Sequence, residues 1–168
     1  MTLETLSNFA EIISASSIVT GLVFGLVQLR HYRTEQRNSI AQSLAQTFYD
    51  ENLARAIARL QSVPDGIPLE RLRELGPEYA AAAVTVISSF ETMGILVFKR
   101  IAPFELVLDL AGGVIVSMNR KLCQFQEDLR VEQNQPSWGE WFTWLAEQAE
   151  RVKDERPPAH IAHRDWRP

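Results

Sequence analysis

From Ile12 to Leu29 the chain reads IISASSIVTGLVFGLVQL, a run of 18 residues without a charge. With Phe9 and Ala10, and only Glu11 between, it reaches about 20 residues, which as a helix spans ~30 Å, the thickness of a bilayer's hydrocarbon core. Its apolar residues fall on every side of the helix, so no face is suited to water. The run predicts a transmembrane helix over residues 9–29, after a short segment 1–8. Asn8-Phe9-Ala10-Glu11 has capping-box spacing and predicts the helix start there, with Glu11 in the first turn. Two other fates compete. A cleaved signal peptide needs a basic start and a small-residue cleavage site, but residues 1–11 hold Glu4 and Glu11 and no Lys or Arg. A buried core helix is the stronger rival, because Ser14, Ser16, Ser17 and Thr20 dilute the run; its length and all-round apolarity favour the bilayer.

Arg30, Arg33 and Arg37 follow the run, with His31 beside them. Basic residues stay on the cytoplasmic side of an inserted helix, which predicts the amino terminus outside and residues 30–168 in the cytoplasm. Within the run, Gly21 and Gly25 form a G-x-x-x-G and Ser17 extends it by one turn. Small residues four apart let another helix backbone approach closely, so Ser17, Gly21 and Gly25 are the candidate helix-association residues.

Between Leu26 and Val63 there is no Gly or Pro. This predicts a juxtamembrane stalk helix over 30–62, with a slip in phase near Tyr49-Asp50-Glu51-Asn52, where Asp50 can cap a fresh helix. Pro64-Asp65-Gly66-Ile67-Pro68 is a turn, Leu69–Leu75 allows two helical turns, and Pro77 suits a first helical position. Residues 79–98 are apolar apart from Glu91. Burying that carboxylate in lipid costs about 2.5–3.5 kcal/mol, and a second crossing would carry Lys99 and Arg100 outside, so a central bundle helix is the preferred reading. Pro103 opens another helix, Gly112-Gly113 either interrupts it or allows a close crossing, and Ile115, Met118, Leu122, Phe125 and Leu129 form one stripe beyond. Asn134-Gln135-Pro136 ends that helix. Ser137-Trp138-Gly139-Glu140 has capping-box spacing and starts the last one, and Pro157-Pro158 precedes a tail. The expected fold is all-α: a transmembrane helix and stalk, a cytoplasmic helical domain over 63–152, and a tail over 153–168.

Chemistry-bearing patterns are sparse. Cys123 is the one cysteine, which excludes an internal disulfide, and it reads as a small buried hydrophobe. A net charge of −4 argues against nucleic acid as a partner. Phosphate-loop, dinucleotide, zinc-protease and nucleophile-elbow motifs are absent from the sequence. His160, His163 and Asp165 have only a weak metal-like spacing. Glu91, Glu105 and Asp109 interrupt apolar runs: the functional reading is a proton-responsive or binding cluster, and the preferred one is a structural ion pair, for which Lys99, Arg100, Arg120 or Lys121 are available, or a solvent-facing position. No metal, cofactor, catalytic residue or small-molecule substrate is expected. Trp138, Trp141 and Trp144 read first as core packing and second as a docking site for another protein, together with Trp166 in the tail; lying on a membrane surface is disfavoured, because Glu140, Glu147 and Glu150 accompany the aromatics and anionic headgroups repel them.

The hydrophobic start with its Arg-rich flank, then FYDENLARAIARL, SSFETMGILVFKR, AGGVIVSM and WFTWLAEQAE, resembles a domain-of-unknown-function family of bacterial membrane-anchored proteins. The resemblance covers roughly residues 10–150, with Phe90-Glu91 and Gly94 most distinctive. It implies a bacterial inner-membrane location and an all-α cytoplasmic part, and brings no catalytic residue. The expected function is a non-enzymatic, single-pass protein-interaction or scaffold module, in contact with lipid and with a second copy or other membrane subunits. The alternative is an accessory or assembly subunit of a larger membrane protein complex, energy-converting complexes included.

Overall fold

The computed structural model describes the backbone of residues 3–48 and 50–167, and the side chains of 16–32, 35, 39, 40, 42–48, 50–153 and 155–167. The side chains of Arg33 and Arg37 lie outside the described residues. Every regular element among the described residues is helical: α1 (Leu3–Phe48), α2 (Glu51–Leu60), α3 (Leu69–Glu74), α4 (Pro77–Phe98), α5 (Phe104–Glu132), α6 (Glu140–Glu155) and α7 (Ala159–Ala162). The all-α expectation is met. The chain divides into two units, Met1–Ile40 and Ala41–Pro168.

In the first unit α1 is already helical at Leu3, so Asn8–Glu11 lies inside the helix and does not start it. Residues 3–8 contain no Gly or Pro, and a helix propagates cheaply once nucleated. From Ser16 to Tyr32 every described side chain is exposed. Ile18 and Phe24 are both 65% accessible, and Leu22 is 64%. The Thr20 hydroxyl donates to the Ser16 carbonyl at 2.7 Å, which satisfies it within its own helix.

The second unit is a helical bundle. Asp50 starts α2 as its spacing predicts, accepting from the Leu53 N–H at 3.0 Å. The helix then packs Leu53, Ala56 and Leu60 inward, against α4 and α5. Residues 51–60, expected in the stalk, thus sit in the bundle. α3 has Pro68 at its N-cap and no local side-chain cap. Asp128 of α5 supplies one, accepting from the Leu69 N–H at 2.9 Å. A two-pronged Arg73–Glu132 pair, 2.8 and 2.9 Å, joins the same two helices.

α4 is central, packing against α2, α3, α5 and α6. Among the described residues it is the helix long and apolar enough to cross a membrane. Yet Ala83, Val86 and Phe90 have no accessible surface, so the bundle already covers one whole side of it. Fully burying a side chain such as Val86 or Phe90 contributes about 1.5–3 kcal/mol. α5 runs through Gly112-Gly113 without a break. A Cβ at Gly112 would meet only Leu108 of its own helix, and one at Gly113 would reach the end of the Lys153 side chain. The close helix crossing lies instead at Gly94 of α4, where a Cβ would overlap the Trp141 carbonyl of α6.

The two glycine sites should respond in opposite ways. Gly94→Ala is expected to lower the unfolding free energy by about 2 kcal/mol or more, because the obstacle is backbone. Gly113→Ala should be neutral or stabilising by up to about 1 kcal/mol, because a helix favours Ala over Gly and Lys153 can move aside. Urea unfolding followed by helical circular dichroism would measure both.

Candidate functional site

One turn of α4 and the start of α6 form the most constrained polar site in the bundle. α6 begins after Gly139, which holds φ 67 and offers no side-chain cap. Its first N–H groups would lack partners there. Glu91 reaches across from α4 and accepts from the Phe142 N–H at 2.8 Å, with a second backbone bond from Trp141. One turn of α4 therefore fixes α6 three ways: Glu91 holds its N–H groups, Gly94 admits its backbone, and Phe90 packs on Phe142 with ring centroids 5.3 Å apart. Burial pushes the Glu91 carboxyl above the ordinary carboxylate range. The Phe142 and Trp141 N–H groups oppose that rise, Glu140 adds to it and Arg130 opposes it.

The site corrects three expectations. Ser137–Glu140 does not form a capping box: α6 starts at Glu140, and the Ser137 carbonyl accepts from the Glu140 N–H in a turn. The left-handed Gly139 places the chain so that the cap must come from another helix. Glu91 is not ion-paired with Lys99, Arg100, Arg120 or Lys121. Instead Glu105 lies 3.6 Å from Arg156, Arg120 pairs with Glu150, and Lys121 lies 3.6 Å from Asp65. Cys123 is exposed, because the buried stripe of α5 runs through Leu122, Phe125 and Leu129 and leaves position 123 outside.

The tryptophans do not share one surface. Trp141 and Trp144 are half-buried and cluster with Phe98, with centroids at 4.5 Å and 5.8 Å from that ring. Trp138 precedes α6 rather than riding on it. Its ring stands edge-on to Phe125 at 6.4 Å, at the wall of a groove with Ala80, Ala81, Val84 and Leu129, and its carbonyl accepts from Arg130 at 2.8 Å. Trp166 is exposed in the tail. In the first unit Gly21 and Gly25 have open space where a Cβ would stand, and Ser17 and Arg30 are exposed. His160 and His163 lie on or just after α7, and among the described residues no three His, Cys, Asp or Glu side chains gather as a metal site.

Sequence reasoning missed Gln126. It is the buried polar side chain among the described residues, and its Oε1 lacks a partner. It faces Gly139, where a Cβ would overlap it, so the same residue requires glycine for its backbone angle and for space. No pattern of spacing could mark it, since it lies on the apolar stripe of α5.

Over residues 15–149, about four-fifths of its length, the chain matches the family described as Domain of unknown function (DUF4760). No curated protein and no solved structure matches it.

The pH dependence of Glu91 follows from the sign of its shift. The folded state favours the neutral acid, so this group's contribution to stability is fully present below the ordinary carboxylate range. It is lost as pH rises through the raised value. Glu91→Gln should flatten that part of the stability–pH curve, while Glu91→Ala should cost about 1 kcal/mol through loss of the cap. Thermal unfolding at a series of pH values would check both.

Proposed function

The chain belongs to the DUF4760 family, and we propose that it is a non-enzymatic, single-pass membrane protein whose cytoplasmic bundle binds other proteins. The observation that carries this reading is the exposed apolar run of α1. From Ser16 to Tyr32 the described side chains face outward on all sides, among them Ile18, Val19, Leu22, Val23, Phe24, Leu26 and Val27. A surface of this kind is unstable in water, and a bilayer satisfies it with no protein partner. Residues 9–29 form the span. Arg30, Arg33 and Arg37 follow it and hold the bundle on the cytoplasmic side of a bacterial inner membrane.

α4 passes a length-and-composition criterion for a span, but its function here is core. Its buried side packs on α2 and α6, and Glu91 is committed to capping α6. Around Gly21 and Gly25 the helix is open, which suits close approach of a second transmembrane helix along Ser17, Gly21 and Gly25. That helix is a second copy or a subunit of a larger complex. Gentle detergent extraction separates the two: a discrete homo-oligomer supports self-association, and fixed co-purifying subunits support an accessory role.

The span is tested by fractionation. The parent chain should stay with membranes through alkaline carbonate washing, and a carboxyl-terminal reporter should be active only in the cytoplasm. Leu22→Arg with Phe24→Arg should release it, since each centred charge costs about 2.5–3.5 kcal/mol on insertion. Val84→Lys, at an exposed position of α4, should leave membrane recovery unchanged. Release of the parent by carbonate, or retention of the α1 double variant with release of Val84→Lys, would refute the assignment.

A further inference from the structure

The carboxyl-terminal end of α4 keeps a backbone conformation that its residue disfavours. The Arg100 N–H donates to the Val97 carbonyl and the Ile101 N–H to the Leu96 carbonyl, both at 2.9 Å. This bond pair places the intervening residue in the left-handed region, normally filled by Gly. Here it is Arg100, at φ 57. α5 ends with the same bond pattern but places Asn134 there, at φ 51, a side chain that tolerates the conformation better. Arginine here forgoes the relief that glycine would give and leaves a cation at the helix tip.

Its neighbours suit one kind of occupant. Phe98 and Ile101 are half exposed, at 50% and 51%, and Ile95 is exposed one turn earlier. Phe98 rests on Trp141 and Trp144. The Lys99 ammonium lies 5.7 Å from the Phe98 ring centroid. Among the described residues no carboxylate lies within ion-pair distance of Lys99 or Arg100, whereas Arg55, Arg71, Arg73 and Arg120 all have one. At about 100° per residue, Glu140 and Glu147 lie beyond Trp144 on the side away from Trp141. The tip thus presents two unpaired cations among large apolar side chains, on a chain whose net charge is −4.

We propose that Phe98-Lys99-Arg100-Ile101, with Ile95, seats on the anionic surface of a lipid bilayer. Lys99 and Arg100 meet headgroup phosphates, and Phe98 and Ile101 enter the acyl boundary. Charge favours lipid over a protein partner, because both cations are uncompensated and a negatively charged leaflet offers phosphates at high density. The proposal rests on the transmembrane reading of α1, because covalent linkage to a span raises the effective concentration of lipid at a weak two-cation contact.

The test uses the full chain carrying Cys123→Ser and Ile101→Cys, labelled at position 101 with a polarity-sensitive fluorophore. It is reconstituted in vesicles of phosphatidylcholine alone or of phosphatidylcholine with phosphatidylglycerol, three to one. The chain should float with both vesicle types, and the label's emission should shift to the blue only in the anionic ones. Arg100→Gly should raise the melting temperature yet remove at least half of that shift. A floating chain whose label reads as aqueous in both vesicle types overturns the tip contact and leaves the α1 span standing. Failure to float with neutral vesicles overturns the span itself. An equal shift in both vesicle types overturns the role of charge. A shift in detergent that grows with protein concentration assigns the tip to a second copy and overturns the lipid contact.

Discussion

The bundle depends on one turn of α4 gripping the start of α6. Phe90 packs on Phe142, Glu91 takes up the first N–H groups, and Gly94 lets the Trp141 backbone approach. These contacts act together. Without glycine at 94 the helices could not approach closely, and without the approach Glu91 could not reach an N–H group that otherwise lacks a partner. The carboxyl must be half-buried to make the bond, and burial raises its pKa. Cohesion and a cost at neutral pH therefore come from the same geometry.

The chain contains two long apolar helical stretches that meet opposite surroundings. α4 turns Ala83, Val86 and Phe90 fully inward among its neighbours, and its one carboxylate within the helix core has a structural partner. From Ser16 to Tyr32, α1 keeps its apolar side chains exposed all round. Both stretches are long and poor in charge; burial separates them. The difference follows from patterning: α4 carries small residues and one polar group where other helices must dock, while α1 has a strip of Ser and Gly and no polar side suited to water.

Much of the fold was legible because its punctuation is local. Asp50 caps α2 three residues on, Pro77 and Pro103 open helices, and Asn134 ends α5 in the left-handed region. The candidate site was only partly legible. Phe90, Glu91 and Gly94 stand out in the sequence, but their roles do not. Glu91 seemed to need a cation and found backbone N–H groups 51 positions away. Gly112-Gly113 drew attention as a crossing that belongs to Gly94. Ser137 and Glu140 have the spacing of a cap, yet the left-handed Gly139 between them starts α6 too late for Ser137 to serve.

The helical class, the turns between helices and the greasy run near the amino terminus can be read from the residues in order, because each rests on interactions between residues a few positions apart. The tertiary structure alone decided which helix ends borrow their caps. Asp128 serves α3 and Glu91 serves α6, and both act across a packed interface. It also decided that Trp141 and Trp144 gather around Phe98 while Trp138 turns to Phe125. A carboxylate's partner or a ring's neighbour depends on how whole helices cross, and periodicity within one helix carries no record of the crossing.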